Sequence, residues 1–100
     1  MFDFNYLNIV EAYKNIKSKV LKTPLISNDF INNLVGGKIY FKLENLQNTG
    51  SFKLRGASNK ISKLTLENKA NGLVAYSSGN HAQAVAFASL QENISAKIIM

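Results

Sequence analysis

The segment Gln47–Ala57 places a primary amine close to the expected start of a helix, and this placement suits imine chemistry. Ser51 is a favoured N-cap residue, because its hydroxyl accepts a hydrogen bond from a free backbone N–H of the first turn. We therefore expect a helix from Phe52 to about Leu64, with Lys53 in its first turn. The positive end of the helix dipole disfavours an ammonium there, and a neutral amine is the nucleophile that condenses with an aldehyde or ketone. An ordinary surface lysine has the same placement, so the residues alone leave both interpretations open.

A second polar group follows a short apolar stretch. The pattern predicts a strand at Leu73–Ser77, a tight turn at Ser78–Asn80 and an alanine-rich helix at His81–Gln91. In open α/β folds, ligands lie at the carboxyl ends of strands, beside the start of the next helix. The glycine of the turn allows close backbone approach, and free N–H groups at the helix start suit a carboxylate or a phosphate. An ordinary helix capped by Ser78 or Asn80 explains the same pattern.

The other segments predict the elements that position these two groups. Asn5 or Asn8 is expected to cap an amphipathic first helix, and Asn8 with Glu11 has the spacing of a capping box. Strand, polar turn, helix and strand together form a βαβ unit, whose parallel strands need further sheet and covering helices. A buried strand at the very end of the chain leads us to expect a fragment. The remaining elements are expected as a helix at 6–20, a helix at 29–34, a strand at 38–44, a polar connection at 65–72 and a strand at 96–100.

The composition excludes several classes of function. The 100 residues include no cysteine and one histidine, which excludes disulfide frameworks, thiolate metal sites and multi-histidine metal sites. No apolar run approaches the ~20 residues of a membrane span, and Met1–Asn5 lacks the features of a signal peptide. The net charge of +6 is a feature of nucleic-acid-binding proteins. Here, however, the lysines are scattered singly, and the 13 asparagines indicate that a compositional bias causes the charge. We expect a cytoplasmic protein without a metal and without nucleic-acid or membrane partners.

Several segments together resemble one known family. Ser51–Ala57 closely resembles the lysine motif of the fold-type II pyridoxal-phosphate enzymes, in the threonine dehydratase and serine racemase branch. Ser77–Ala84 resembles the serine–glycine–asparagine–histidine loop of that branch, in the expected order. Lys22–Leu25 and Phe41–Glu44 also match, so the resemblance covers essentially the whole chain, although it corresponds only to the N-terminal portion of much longer enzymes.

The resemblance implies an α/β fold with two domains, each built on a parallel sheet with flanking helices. Residues 1–66 would form the N-terminal part of the large cofactor domain, including the lysine helix, and residues 67–100 the start of the small substrate domain. The glycine-rich loop for the cofactor phosphate and the partner of the pyridine nitrogen would lie beyond residue 100. We therefore expect the chain by itself to be inactive.

The resemblance also implies a role for each site residue. Lys53 would form the Schiff base with pyridoxal 5'-phosphate, Phe52 would hold the ring, and Asn80 would contact the phenolic oxygen. Ser78 matches the serine that carries a proton on the opposite ring face in serine racemase-like members. The substrate carboxylate would be bound by Ser77, Ser78, Gly79, Asn80 and His81.

The implied reaction is the deamination of L-threonine, and of L-serine, to a 2-keto acid and ammonia by a homo-oligomeric enzyme, as in isoleucine biosynthesis. Two alternatives stay open at this point. The same motifs suit a serine racemase, and a non-catalytic remnant that acts only in interactions would retain the same βαβ unit.

Overall fold

The computed structural model describes residues 3–100, and the fold is mixed α/β. Polar side chains cap the N-termini of several helices. Apolar residues on one face of each main helix form the core. The helices are α1 (Tyr6–Ile16), α2 (Asp29–Val35), α3 (Lys53–Ser62), α4 (Leu66–Asn71) and α5 (Asn80–Gln91), and the strands are β1 (Leu25–Ile26), β2 (Phe41–Lys42), β3 (Leu73–Tyr76) and β4 (Ala96–Ile99).

The first helix is capped by Asn5 and not by Asn8. The Asn5 side chain accepts a hydrogen bond from the Leu7 N–H at 2.9 Å, and the Asn5 N–H donates to the Asn8 side chain at 2.8 Å. The expected capping box of Asn8 and Glu11 is therefore wrong, because Asn8 lies inside the first turn and forms the capping box with Asn5. The helix ends at Ile16, four residues early, because the N–H groups that follow fold back onto the Ile16 carbonyl.

The second helix confirms the helix expected at 29–34. The Asn28 side chain accepts from the Ile31 N–H at 3.1 Å, and Gly36 ends the helix with a left-handed φ of 66°. The strand expected at 38–44 is paired only at Phe41–Lys42, where β2 runs antiparallel to β1. The polar connection expected at 65–72 contains α4, which begins because the Thr65 hydroxyl accepts from the Asn68 N–H at 3.2 Å.

The βαβ unit is confirmed. Strands β3 and β4 are parallel, with Leu73 opposite Ala96 and Tyr76 opposite Ile99, and α5 is the crossover between them. One face of this pair packs against the helices, while the other face exposes Val74 at 72% and Tyr76 at 82%. The strands, which the sequence predicted to be buried, are thus covered on one face only.

The core lies mainly between α3 and α5. Leu54 and Ala84 are completely buried there, and α1 contributes through Ile16. This core joins residues on both sides of position 66, so the lysine helix and the βαβ unit pack directly on each other. No helix among residues 3–100 combines the length and the apolar character that crossing a bilayer requires.

We expect Gly72→Ala to lower the free energy of unfolding by about 2 kcal/mol or more. Gly72 has a φ of 77°, and an added Cβ would lie 2.9 Å from the Ser95 carbonyl oxygen. That oxygen accepts the Leu73 N–H at 2.8 Å at the start of the β3–β4 pair, so the methyl group would disturb the parallel pairing. Urea unfolding measures the loss, and Gly37→Ala is the control because a Cβ at Gly37 meets nothing within 4 Å. Equal stability of the two variants would refute this account.

Candidate active site

Lys53 is the first residue of α3, and its side chain is exposed. Its Nζ lies 5.0 Å from the centre of the Phe52 ring, which is itself 61% exposed. Phe52 has the helical φ and ψ of −64° and −16° and makes no side-chain capping bond. The amine and the ring therefore stand together at the helix start, open to a planar ligand.

Ser51 is not the N-cap that the sequence predicted. The helix begins at Lys53, one residue later than expected, and Phe52 is its N-cap, because the turn before it closes through a hydrogen bond from the Gly50 N–H to the Gln47 carbonyl at 2.8 Å. Ser51 is only 7% exposed, and its hydroxyl is buried without a partner, as is the hydroxyl of Thr49. Buried unpaired hydroxyls are uncommon in folded proteins. The sequence did not predict these two, because the direction of each side chain depends on the geometry of the turn at Gln47–Gly50.

The second predicted group follows β3 directly. The Ser77 N–H donates to the Ile99 carbonyl at 3.0 Å, and the Ser77 hydroxyl accepts from the Gly79 N–H at 3.3 Å. Gly79 is the N-cap of α5 and supplies no side chain, so neither Ser78 nor Asn80 caps this helix. A Cβ at Gly79 would meet nothing within 4 Å, which leaves the helix start accessible. Ser78 and Asn80 are both exposed beside it.

One cavity lies beside the two groups, and among the predicted site residues only His81 lines it. It has a volume of about 290 Å³ and lies between α3, β3 and α5. His81 lines it from the start of α5, and Gly56, Ala57 and Lys60 line it from α3. Residues three, four and seven positions apart share a helix face, and Lys53 has this spacing from the three α3 residues. Lys53 thus belongs to the α3 face that lines the cavity, one turn nearer the helix start.

A cluster of ionic and polar side chains holds the other side of the lysine helix. The Arg55 guanidinium donates to both Glu44 oxygens, at 2.6 and 3.0 Å, and to the Leu21 carbonyl at 3.1 Å. The Thr23 hydroxyl donates to Glu44 at 2.6 Å. The Gln47 side chain, 4% exposed, accepts from the Leu21 N–H at 2.9 Å and donates to the Leu21 carbonyl at 3.0 Å. We call these five residues the latch.

The hydrogen bonds of the latch lower the pKa of the Glu44 carboxyl group. Hydrogen bonds from Arg55, and next from Thr23, lower the pKa of Glu44 from 4.5 to about 2 against the opposing effect of burial. A carboxylate with a lowered folded-state pKa stabilises the fold above its unfolded-state pKa, and this contribution is lost as the pH falls towards the folded-state pKa. The relevant window runs from about pH 4.5 down to about pH 2.

We therefore expect acid to destabilise the wild-type chain more than the Glu44→Gln variant. Between neutral pH and about pH 3 the additional loss is ~2 kcal/mol, since one pKa unit corresponds to about 1.4 kcal/mol. Urea unfolding at the two pH values measures it, and the comparison removes the shared effect of Glu92, whose pKa is also lowered by Lys19 and then Lys69. An equal acid sensitivity of both proteins would contradict the role of Glu44.

Comparison with known proteins identifies the family. Residues 16–100 match the family described as "Pyridoxal-phosphate dependent enzyme". The chain belongs to this family. The family match confirms the expected cofactor, pyridoxal phosphate, and the solved structures similar to the chain confirm the fold-type II α/β architecture.

Individual relatives are ammonia-lyases and a racemase. The chain is 45% identical over 95 residues to the L-threo-3-hydroxyaspartate ammonia-lyase of Saccharomyces cerevisiae, covering 95% of this chain and 29% of that enzyme. It is 48% identical over 93 residues to the L-threonine ammonia-lyase of Thermotoga maritima, covering 93% of this chain and 23% of that enzyme. The structure of maize serine racemase superposes with a TM-score of 0.91 at 43% identity, covering 97% of this chain and 30% of that one. The chain thus spans less than a third of the length of each of these three relatives.

The local geometry fits pyridoxal phosphate. An exposed lysine amine stands beside an exposed aromatic ring, as a planar aldehyde requires. The open start of α5 leaves room at Gly79 for a ligand to approach the backbone. Both features suit the cofactor, which needs an amine to condense with and polar groups that hold an anion.

Sequence reasoning missed the latch as a unit. Its signal was present, because Arg55 is the sole arginine of the chain and Glu44 is one of only six acidic residues. The pairing of these two residues across 11 positions, and their shared bonds to the segment Leu21–Thr23, depend on how the loop before α3 folds back.

Proposed function

We propose that this chain supplies the Schiff-base lysine and the substrate-carboxylate loop of a pyridoxal-phosphate-dependent L-threonine ammonia-lyase that also accepts L-serine. The observation that carries the proposal is the shared cavity: Lys53 has helical spacing from the α3 residues that line it, and His81 lines it from the loop side. The ammonia-lyases among the relatives support the lyase assignment over other reactions of the family.

Each residue has a defined task in this proposal. When bound, pyridoxal phosphate supplies an electron sink for the pair left on the α-carbon of the substrate. Lys53 would hold the cofactor through its aldehyde until the substrate amine displaces Nζ, and the freed Nζ would then accept the α-proton. Phe52 would cover one side of the ring, and Asn80 would donate to the phenolic oxygen. Loss of the β-hydroxyl and hydrolysis then give the 2-keto acid and ammonia.

The start of α5 binds the substrate carboxylate. The N–H groups there are free of side-chain caps, and a helix N-terminus attracts an anion. The side chains that assist are those of Ser77, Ser78, Asn80 and His81, with Gly79 allowing the close approach. Ser78 additionally presents its hydroxyl to the α-carbon, on the face opposite Lys53.

The proposal extends to the whole protein. We place residues 1–66 in the cofactor domain and residues 67–100 in the substrate domain, and we propose a cytoplasmic homo-oligomer. Because the chain spans less than a third of each of the three relatives compared above, residues 1–100 alone are expected to lack activity.

The test uses the natural gene product that contains this chain, purified and saturated with pyridoxal phosphate. Release of 2-oxobutanoate from L-threonine and of pyruvate from L-serine is followed, together with reduction by borohydride and mass spectrometry of the labelled peptide. Keto-acid release with the label on Lys53 supports the proposal. A label on another lysine would overturn the role of Lys53, and the absence of both label and keto-acid release would support a non-catalytic remnant.

A serine racemase is the second candidate, and the maize structure favours it. The racemase differs from the lyase in returning a proton to the opposite face of the α-carbon, so chiral analysis of recovered serine distinguishes the two. We prefer the lyase because two of the three relatives compared above are ammonia-lyases.

A further inference from the structure

We propose that Arg55 is a positioning residue for Lys53, and that the latch sets the rotation of the first turn of α3, from which the Lys53 side chain extends beside the Phe52 ring. The inference rests on the proposed function, since that function gives Lys53 its role. It adds a group of residues that positions Lys53 from outside the cavity, on the opposite side of α3.

The positions of the two residues on α3 support this role. Successive residues of an α-helix are separated by about 100° around its axis, so Lys53 and Arg55 point in nearly opposite directions. Arg55 is held at three acceptor atoms, the two oxygens of Glu44 and the carbonyl of Leu21. A planar guanidinium held at three points cannot turn without breaking a bond. Fixing Arg55 therefore fixes the direction in which the Cα–Cβ bond of Lys53 leaves the helix.

The latch also holds the chain on the other side of Lys53. Gln47 bonds to both backbone groups of Leu21, and the Leu21 carbonyl accepts from Gln47 and Arg55 alike. A single peptide group thus links the loop before the helix to the first turn of the helix. Lys53 lies between these two attachment points in the sequence.

The first turn of α3 is bonded separately from the rest of the helix, where the Asn15 side chain donates to the Asn59 side chain at 3.2 Å. Phe52 provides no capping bond, and among residues 3–100 the side-chain hydrogen bonds that reach the first turn of α3 come from Arg55. The buried Leu54 keeps α3 against the core but makes no directional bond. The rotational setting of the first turn therefore depends on the latch.

The test compares Arg55→Lys and Glu44→Asp with a control, Lys63→Met, in the full chain. Lysine keeps the charge of Arg55 but cannot bridge two carboxylate oxygens and a carbonyl. Lys63 lies just past the opposite end of α3 and pairs with the exposed Glu11 at 3.0 Å. Two measurements are made: amide hydrogen exchange of peptides from the start and the end of α3, and labelling of each lysine by pyridoxal phosphate with borohydride.

Both latch variants are expected to speed exchange at the start of α3 and to leave α5 unchanged. The ratio of labelling at Lys53 to labelling at Lys60 should fall by about tenfold, the size of a small misplacement of a reacting group, and Lys63→Met should change neither measurement. A general loss of stability would instead speed exchange in α3 and α5 together. Glu44→Asp, the milder change, keeps the test usable if Arg55→Lys does not fold.

Unchanged exchange at the start of α3 in both variants would overturn the proposal, and so would uniformly faster exchange throughout the chain or an unchanged ratio of labelling at Lys53 to labelling at Lys60. If the wild-type chain shows no preference for Lys53 in labelling, the proposed function fails. The exchange measurement still decides the positioning role in that case, so the two failures are distinguishable.

Discussion

Lys53→Ala is expected to abolish the visible absorbance of the bound cofactor and to reduce turnover by about a thousandfold or more in the natural gene product that contains this chain. The physical reason is that only a primary amine condenses with the cofactor aldehyde and accepts the α-proton from the same atom. Lys53 stands at an open helix start beside the Phe52 ring. Absorbance spectra and keto-acid release from L-threonine measure the two losses.

Two matched variants separate this chemistry from charge and folding. Lys53→Arg keeps the positive charge but cannot form the imine, so it should be as inactive as the alanine variant. Lys63→Ala removes a lysine near the other end of the same helix, where it pairs with Glu11 on the surface, and should retain activity. A borohydride-reducible cofactor adduct that persists in Lys53→Ala would show that another lysine forms the Schiff base.

Ser78→Ala is expected to separate the lyase from the racemase. Elimination from an L-substrate requires proton transfer on one face of the α-carbon only, which Lys53 provides in our proposal. Racemisation requires a second proton carrier on the opposite face, and the exposed Ser78 hydroxyl on the open turn before α5 is the candidate. In a lyase, the variant should slow L-threonine deamination by only about tenfold, within the usual range for a lost positioning bond, while action on D-serine disappears.

Chiral chromatography of recovered serine, together with keto-acid release, gives both rates for the wild type and the variant. Asn71→Ala is a control, because Asn71 is an exposed residue at the end of α4 and has no part in the site. Equal racemase and lyase rates in the wild type, with both lost in Ser78→Ala, would defeat the lyase assignment and favour the racemase.

The parts of the structure that were predicted correctly depend on short-range patterns. Helix α2, the helix that carries Lys53 and the strand–turn–helix–strand order of the βαβ unit follow from residues a few positions apart. The family motifs around Lys53 and Asn80 likewise lie in continuous segments, and the family match confirmed the cofactor they implied.

The predictions that were wrong depended on direction or on distant partners. Ser51 is a favoured cap by type, but the turn closed by Gly50 buries its hydroxyl, so that Phe52 becomes the N-cap and the helix starts at Lys53. Helix α1 ends earlier than predicted, because the Lys19 N–H donates to the Ile16 carbonyl, three residues back, instead of to the carbonyl four residues back. Such competition between local hydrogen bonds is decided by small differences in geometry that residue types do not specify.

The sequence by itself determined the chemistry that this chain can offer: an amine in a helix start, a polar turn after a strand, and the helices and strands that carry them. Tertiary structure decided which residues surround the helix that carries the amine. The cavity shared by His81 and α3, and the bonds from Arg55 to Glu44 and Leu21, join segments separated by 11 to 34 positions. Contacts of this kind form only when the elements pack on a common core, because neither hydrogen bonds nor cavities are properties of a single segment.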